Sequence, residues 1–185
     1  MARVDELVDG IYRISTTVQL PDTEFQFNQF LIDDERPALV HTGMHGLYEG
    51  VRDGVAEVLD PSKLEYVILL HFEADENGGM DRSLEAAPGS TLACSALSAI
   101  LNLSGWNYSG RVEGHAEGEV IDLGKHRLRF LETPHVHYWD SMMLLRFNRS
   151  SQHLDERSCD GSTASEPTSG RPSGDALAGS SVGRA

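Results

Sequence analysis

The feature that most constrains the fold is the run over residues 64–72, LEYVILLHF, in which apolar residues follow one another with little interruption. A strand with one solvated face alternates apolar and polar residues, whereas a strand covered on both faces shows a continuous apolar run of about this length. The run therefore predicts a central strand between two covering layers. Its polar residues begin only where the run ends, at His71.

Strand and helix patterns alternate on both sides of this run. Apolar residues recur at helical spacing over residues 46–61 and 95–105. Period-two patterns or short apolar runs bounded by turn residues predict further strands over residues 10–18, 27–33, 37–43, 91–95, 117–124, 126–134 and 141–148. This mixed order, with no internal repeat, predicts an α/β (α+β) domain.

The composition changes abruptly near residue 150. Residues 151–185 are rich in Ser, Gly and Pro and contain no aromatic residue. Such a segment buries too little apolar surface to offset its ordering entropy. We predict one folded domain over residues 1–150 and a disordered tail over residues 151–185. The abrupt change also prompts the hypothesis that the tail is read in a shifted coding frame.

Charge and apolar patterning narrow the possible partners. The formal net charge is -14, and no run of Lys and Arg offers a local basic patch for nucleic acid or an anionic membrane. No signal-peptide core is present, and no segment reaches the roughly 20 apolar residues that span a bilayer. The two cysteines, Cys94 and Cys159, exclude a disulfide framework. We expect a cytoplasmic protein that binds neither nucleic acid nor a membrane.

A histidine and three carboxylates, His71, Glu73, Asp75 and Glu76, directly follow the central run. Functional side chains concentrate at the carboxyl ends of such strands, and imidazole with carboxylates suits Zn, Fe or Mn. Residues 77–79, Asn-Gly-Gly, permit close backbone approach and a sharp turn. Taken alone, this cluster fits a solvated acidic loop as well as a metal site.

A second pair of histidines, His135 and His137, follows another predicted strand. Either histidine alone could be a hydrogen-bonded core residue, but two such loops, each after an apolar strand, favour a metal site together with His71. The Tyr-Trp pair that follows could wall a pocket. Asp140 could hold a ligand imidazole in place through a hydrogen bond.

The other histidines carry weaker signals. His41 and His45 bracket a Thr-Gly turn, where an incidental or supporting role is more common than a catalytic one. His115, His126 and His153 lie in polar segments, where a surface role is expected. The sequence has no nucleophile elbow, phosphate loop or dinucleotide fingerprint, so no motif supports a serine hydrolase, a P-loop protein or a Rossmann-type enzyme.

With both loops in view, residues 10–145 resemble the metallo-β-lactamase fold and, within it, the flavodiiron and oxygen-binding di-iron proteins. The segment NQFLIDDERPALVHTG is similar to the family's opening hairpin, which usually ends in Asp-Thr-Gly, and His41 stands in place of that Asp. HFEADENGG is similar to the motif H-x-E-x-D-H, with Glu76 in place of its last histidine. TPHVHYWDSMM is similar to the family segment Ala/Thr-Pro-x-x-His-Trp-x-Asp-Ser-Met.

The resemblance implies a metallo-β-lactamase-like αββα sandwich, here truncated after the first strands of its second half. It implies two iron sites, with Zn or Mn as alternatives to Fe. His71, Glu73 and His137 would bind one metal. Asp75, with Glu76, would bind the second.

The resemblance also implies partners and further ligands. A bridging Asp and a final His would follow Asn148, and Asp155 and Asp160 lie at about the right distance. O2 or NO would be the small ligand. No flavodoxin-like domain follows, so a redox partner protein would supply electrons. We also expect a homo-oligomer, because a truncated sandwich exposes apolar surface.

Two other functions stay open. A metal-dependent hydrolase of the same fold would use the metal to lower the pKa of bound water to about 7. Glu73 disfavours it, because hydrolytic members of the resembled fold carry His at that position. A non-catalytic sensor or remnant domain would bind one metal or none.

Overall fold

The computed structural model describes residues 2–106, 108–148, 175–177 and 183–184. The helices are α1 (Tyr48–Ala56), α2 (Ala74–Asn77), α3 (Met80–Ala86) and α4 (Ala96–Gly105), with 3-10 turns at His45–Leu47 and Pro61–Lys63. The strands are β1 (Arg3–Val8), β2 (Ile11–Gln19), β3 (Glu24–Ile32), β4 (Ala38–Val40), β5 (Tyr66–Ile68), β6 (Thr91–Ser95), β7 (Val112–His115), β8 (Val120–Asp122), β9 (His126–Glu132), β10 (Met142–Asn148), β11 (Asp175–Leu177) and β12 (Gly183–Arg184).

The strands form two sheets among the described residues. The first has the order β1-β2-β3-β4-β5-β6-β7, antiparallel as far as β4 and parallel from β4 to β7. The second has the antiparallel order β11-β10-β9-β8. Strand β5 lies between two parallel neighbours and is fully buried, so the prediction of a covered central strand is confirmed.

Side chains of the central run alternate between two cores, as the period of a strand requires. Ile68 and Leu70 pack with Phe130 in the core between the two sheets. Val67 and Leu69 point the other way, toward the helices, where Met80 and Leu103 are among their neighbours. A third cluster, which includes Val51 and Val55 of α1, covers the antiparallel half of the first sheet. The described residues therefore form helix, sheet and sheet layers.

Two short pieces of the predicted tail are described. Strand β11 pairs with β10, and β12 pairs with β3, so these five residues form strands where disorder was predicted. The rest of the tail prediction, with Asp155 and Asp160 and His153, lies outside the described residues. The domain boundary near residue 150 stays a prediction. Among the described residues, no helix has the length and hydrophobicity needed to cross a bilayer.

Candidate metal centre

The sheet topology brings the two predicted loops to one edge. Because β4 and β5 are parallel neighbours, His41 and His71 emerge at the same end of the first sheet. The backbone N–H of His41 donates to the carbonyl of Ile68 at 2.8 Å. The loop between β9 and β10 arrives from the second sheet, where Met142 donates its N–H to the Leu70 carbonyl at 2.8 Å. Both sheets therefore supply residues to this edge.

Three of the five predicted ligands meet there. Donor atoms of His71, Glu73 and His137 all lie within 4.8 Å of one another, and we call this set the metal triad. Glu73 Oε2 is 3.0 Å from His137 Nε2 and 3.5 Å from His71 Nε2. The two imidazole rings are perpendicular, with centroids 4.9 Å apart. Two imidazoles and one carboxylate around a common point are a ligand set that iron uses in proteins.

The burial of the metal triad is uneven. His71 is 2 % exposed, whereas the Glu73 and His137 side chains are 38 % and 41 % exposed. The Nε2 atom of His71 is buried and has no hydrogen-bond partner. Leaving a buried polar atom unpaired is costly, and a cation between the three side chains would remove that cost. The arrangement therefore fits a metal with one closed side and one side open to solvent.

Close backbone packing holds the acidic segment in place. A Cβ on Gly78 would lie 2.5 Å from the backbone N of His45, and one on Gly79 would lie 2.8 Å from the carbonyl O of Thr42. The predicted close approach at residues 77–79 is confirmed. The Glu76 carbonyl also accepts the N–H of Thr42 at 2.7 Å. The loops after β4 and β5 are thereby joined.

Asp75 and Glu76 do not join the metal triad. Glu76 Oε2 instead lies 2.9 Å from Nδ1 of His41, and both side chains are buried. Asp75 has a buried Oδ1 without a hydrogen-bond partner. Burial, followed by the charges of Glu73 and Glu76, raises the pKa of Asp75. These two carboxylates therefore stand apart from the metal triad, and their binding of a second metal stays a prediction.

Burial favours the neutral form of the His71 imidazole, which is the form that binds a metal. Burial, and then the charges of His41 and His137, lowers the pKa of His71. His71 is therefore neutral at neutral pH, as a metal ligand must be. Burial alone would raise the pKa of Glu76, but the contact and charge of His41, then the charges of His71 and His137, outweigh it and lower that pKa.

The loop that carries His137 turns rather than staying extended. His135 has a φ of 63°, and its N–H donates to the Tyr138 carbonyl at 2.8 Å. The His135 side chain is exposed and lies outside the metal triad. The Tyr138 ring lies 6.0 Å from His71 and 5.8 Å from His137, centroid to centroid, which places it as the predicted wall. The non-ligand role that the resemblance implies for His135 agrees with this placement and stays a prediction.

The predicted role of Asp140 is wrong. Its Oδ2 accepts hydrogen bonds from the backbone N–H of Phe72 at 3.3 Å, Ser98 Oγ at 2.5 Å and Asn102 Nδ2 at 3.0 Å, while its Oδ1 has no partner. The side chain is directed toward α4 and the backbone after His71, and it contacts no imidazole through these bonds. Asp140 therefore positions the segment that carries His71, not the ring itself.

Two histidines are buried where a surface role was expected. His115 and His126 are buried, not on the surface. His115 stacks on Phe130 with ring centroids 4.2 Å apart, and His126 Nε2 lies 2.9 Å from the Asp9 carbonyl. His41, for which an incidental or supporting role was expected, has its Nδ1 2.9 Å from Glu76 Oε2, and both side chains are buried. Both positions differ from the resembled motifs, which have Asp at position 41 and His at position 76. This pair of substitutions was the sequence signal that could have indicated the contact.

Fold and site together define a class, the metallo-β-lactamase-like sandwiches with a cluster of metal donors at one sheet edge. A family model described as "ODP family beta lactamase" matches residues 25–154, and the chain belongs to this family. Rubredoxin-oxygen oxidoreductase from Megalodesulfovibrio gigas is 32% identical over 119 residues, covering 63% of this chain and 29% of that protein. Nitric oxide reductase from Moorella thermoacetica is 31% identical over 121 residues, with shares of 63% and 29%.

A solved structure agrees with the fold. The rubredoxin oxygen:oxidoreductase of Desulfovibrio gigas superposes with a TM-score of 0.70 at 24% identity, covering 81% of this chain and 39% of that one. The chain thus spans about three tenths of the length of the curated relatives and about two fifths of that structure. These relatives are oxygen and nitric oxide reductases by name, so the hydrolase alternative is not favoured.

Proposed function

We propose that this chain is an iron-binding domain that reacts with O2 or NO at the metal triad. The observation that carries the proposal is the convergence of His71, Glu73 and His137 within 4.8 Å at the edge shared by both sheets. The names of the related oxygen and nitric oxide reductases support this choice of small ligand. Zn and Mn suit the same donors, so the test below measures iron and the other two metals together.

The residues divide the work of holding the metal. His71 would present Nε2 from the buried side, where no hydrogen bond competes for it. Glu73 would supply the negative charge, and His137 would close the site from the second sheet. The exposed flank beside Glu73 and His137 would admit a molecule as small as O2 or NO. Bound iron would supply electron exchange with that molecule, chemistry that no side chain of the metal triad supplies by itself.

We also propose a separate redox partner and self-association. The name of the M. gigas relative gives rubredoxin as one of two reactants, which supports a protein electron donor for this chain as well. Leu97, Ile100 and Leu101 are exposed on α4, an apolar surface that contact between copies would cover. The expected cytoplasmic location is consistent with this proposal.

Metal retention and spectroscopy test the proposed function. The purified chain is loaded anaerobically with Fe(II), Zn(II) and Mn(II) in separate samples, desalted and analysed for each metal. The reduced iron form is then exposed to O2 or NO while its optical spectrum is recorded. We expect bound iron and a spectral change. His71→Ala and His137→Ala should each retain about a tenth or less of the wild-type iron.

His135→Asn is the matched control. It removes an imidazole two residues from His137, and Asn tolerates the positive φ at this position. This variant should keep wild-type iron content and spectra. Wild-type protein that retains no iron, or His71→Ala and His137→Ala that retain as much as wild type, would overturn the proposal. Chelator-sensitive ester or lactam hydrolysis would favour the hydrolase instead.

A further inference from the structure

We infer that two copies of this chain join through strand β7, which pairs antiparallel with β7 of the second copy about a two-fold axis at Gly114. The first sheet then continues from one copy into the other. The inference rests on the self-association proposed above and gives it a geometry. It is independent of the metal triad.

Strand β7 offers a backbone edge that can accept another strand. It is the last strand of the first sheet among the described residues, and residues 112–114 are exposed. The N–H of Leu92 donates to the Arg111 carbonyl at 2.9 Å within a regular parallel register. In such a ladder alternate residues bond to the neighbouring strand, so Glu113 turns its N–H and C=O toward β6. Gly114 turns the same groups away from the sheet.

The other edge strand of this sheet, β1, is protected against such pairing. Asp5 forms ion pairs with Arg3 and Arg13, and the register between β1 and β2 shifts between Glu6 and Val8. Charged side chains and bulges are features that keep edge strands from pairing with another chain. Strand β7 keeps a regular register and contains no Lys or Arg. It is therefore the edge that fits a second strand.

The charge pattern of β7 favours a two-fold axis at Gly114. The outward N–H and C=O of Gly114 would then exchange hydrogen bonds with the same groups of the second copy. Glu113 would lie opposite His115 of the second copy, with Cβ atoms about 4.5–5.5 Å apart. An axis at Glu113 would instead set two carboxylates face to face, which is unfavourable. An axis at Val112 would pair Gly114 with residue 110, which lies outside β7.

Helix α4 crosses β7 at the same residue. A Cβ on Gly114 would lie 3.0 Å from Ala96 Cα and 3.1 Å from Ala99 Cβ, so the helix and the strand approach closely there. An axis through Gly114 therefore also brings the α4 helices of the two copies side by side.

The exposed apolar side of α4 is directed past the β7 edge. Ser98 and Asn102 lie on the side that bonds Asp140, next to the segment after β5, which is inward from β7 in the sheet. Another side of the helix carries three apolar side chains that are 47%, 68% and 55% exposed: Leu97, Ile100 and Leu101. About the two-fold axis these side chains would cover their own copies, a self-complementary contact that closes at two chains.

Hydrogen exchange of single backbone N–H groups tests the inference with the full chain. Light scattering gives the mass, and exchange is followed by NMR in the wild type and in the monomeric Leu97→Lys/Ile100→Lys variant. We expect a dimer in which the Gly114 N–H exchanges at least about a hundredfold more slowly than in the variant. The Glu113 N–H, which faces β6, is the internal control and should be equally protected in both proteins.

Dimer affinity of an edge variant is the second readout. Val112→Pro removes an N–H that faces away from β6 and sets the proline ring against the second strand, while the ladder with β6 stays intact. It should weaken dimerisation at least about tenfold in analytical ultracentrifugation. Val112→Thr keeps the N–H and should dimerise as the wild type does.

The outcomes separate the inference from the proposals on which it rests. A wild-type dimer in which the Gly114 N–H exchanges as fast as in the monomeric variant would overturn the β7 pairing and leave self-association standing. Equal dimerisation of Val112→Pro and Val112→Thr would overturn the pairing too. A wild-type monomer at all tested concentrations would overturn both. Should Val112→Pro fail to fold, the exchange measurement still decides.

Discussion

At the residue scale, the site depends on side chains that differ sharply in burial. His71 is fixed inside the protein, whereas Glu73 and His137 lie at its surface. The motif resemblance was sufficient to predict that these three residues meet. It did not by itself predict the contact of His41 with Glu76, although the substitutions at both positions could have indicated it. It gave no sign of the burial of His126, because that burial depends on residues distant in the chain. The His126 ring meets the carbonyl of Asp9, for example.

Asp140 gives a prediction at this scale. Asp140→Ala removes the acceptor for Phe72 N–H, Ser98 and Asn102, leaving buried donors unpaired. The free energy of unfolding, measured by urea denaturation, should fall by about 2–4 kcal/mol. Asp140→Asn keeps one carbonyl oxygen as an acceptor and should lose less. An alanine variant within about 0.5 kcal/mol of wild type would contradict this role.

At the scale of secondary structure, regular burial patterns were predictable and short or exposed elements were not. Strands β2, β6, β9 and β10 show clear apolar patterns and lie close to their predicted positions. Strand β1 was missed because it is an edge strand with mostly exposed or half-exposed side chains. Helix α2 has four residues, too few to show a helical periodicity of apolar residues in the sequence. The acidic segment thus turns into a helix that its sequence did not indicate.

The glycines that follow α2 give a prediction at the element scale. Gly78→Ala would place a Cβ 2.5 Å from the backbone N of His45 and 2.6 Å from the carbonyl O of Ala74. The backbone atoms cannot move aside without a large energetic cost. We therefore expect the free energy of unfolding, measured by thermal or urea unfolding, to fall by about 1–3 kcal/mol. Iron retention should also fall, because α2 adjoins Glu73.

Gly46→Ala is the control for this change. A Cβ at Gly46 would meet nothing within 4 Å, although the residue lies in the loop that Gly78 contacts. This variant should be neutral or stabilised by up to about 1 kcal/mol. Equal stability losses in the two variants would show that close backbone approach is not the cause.

At the scale of the whole molecule, apolar surface on α4 predicts self-association. Ile100 is 68% exposed, and Leu97 and Leu101 lie on the same helical face. Light scattering should give a mass above that of one chain. Leu97→Lys/Ile100→Lys should shift the protein toward the monomer, whereas Glu57→Lys, at an exposed site outside α4, should not. A wild-type monomer at all tested concentrations would contradict the prediction.

The proposed function requires a metal between His71, Glu73 and His137. Anomalous scattering at the iron edge from crystals of the iron-loaded protein tests it most directly. We expect a strong anomalous peak bordered by His71 Nε2, the Glu73 carboxylate and His137 Nε2. The absence of a peak there, or an iron coordinated by Glu76 in place of Glu73, would contradict it.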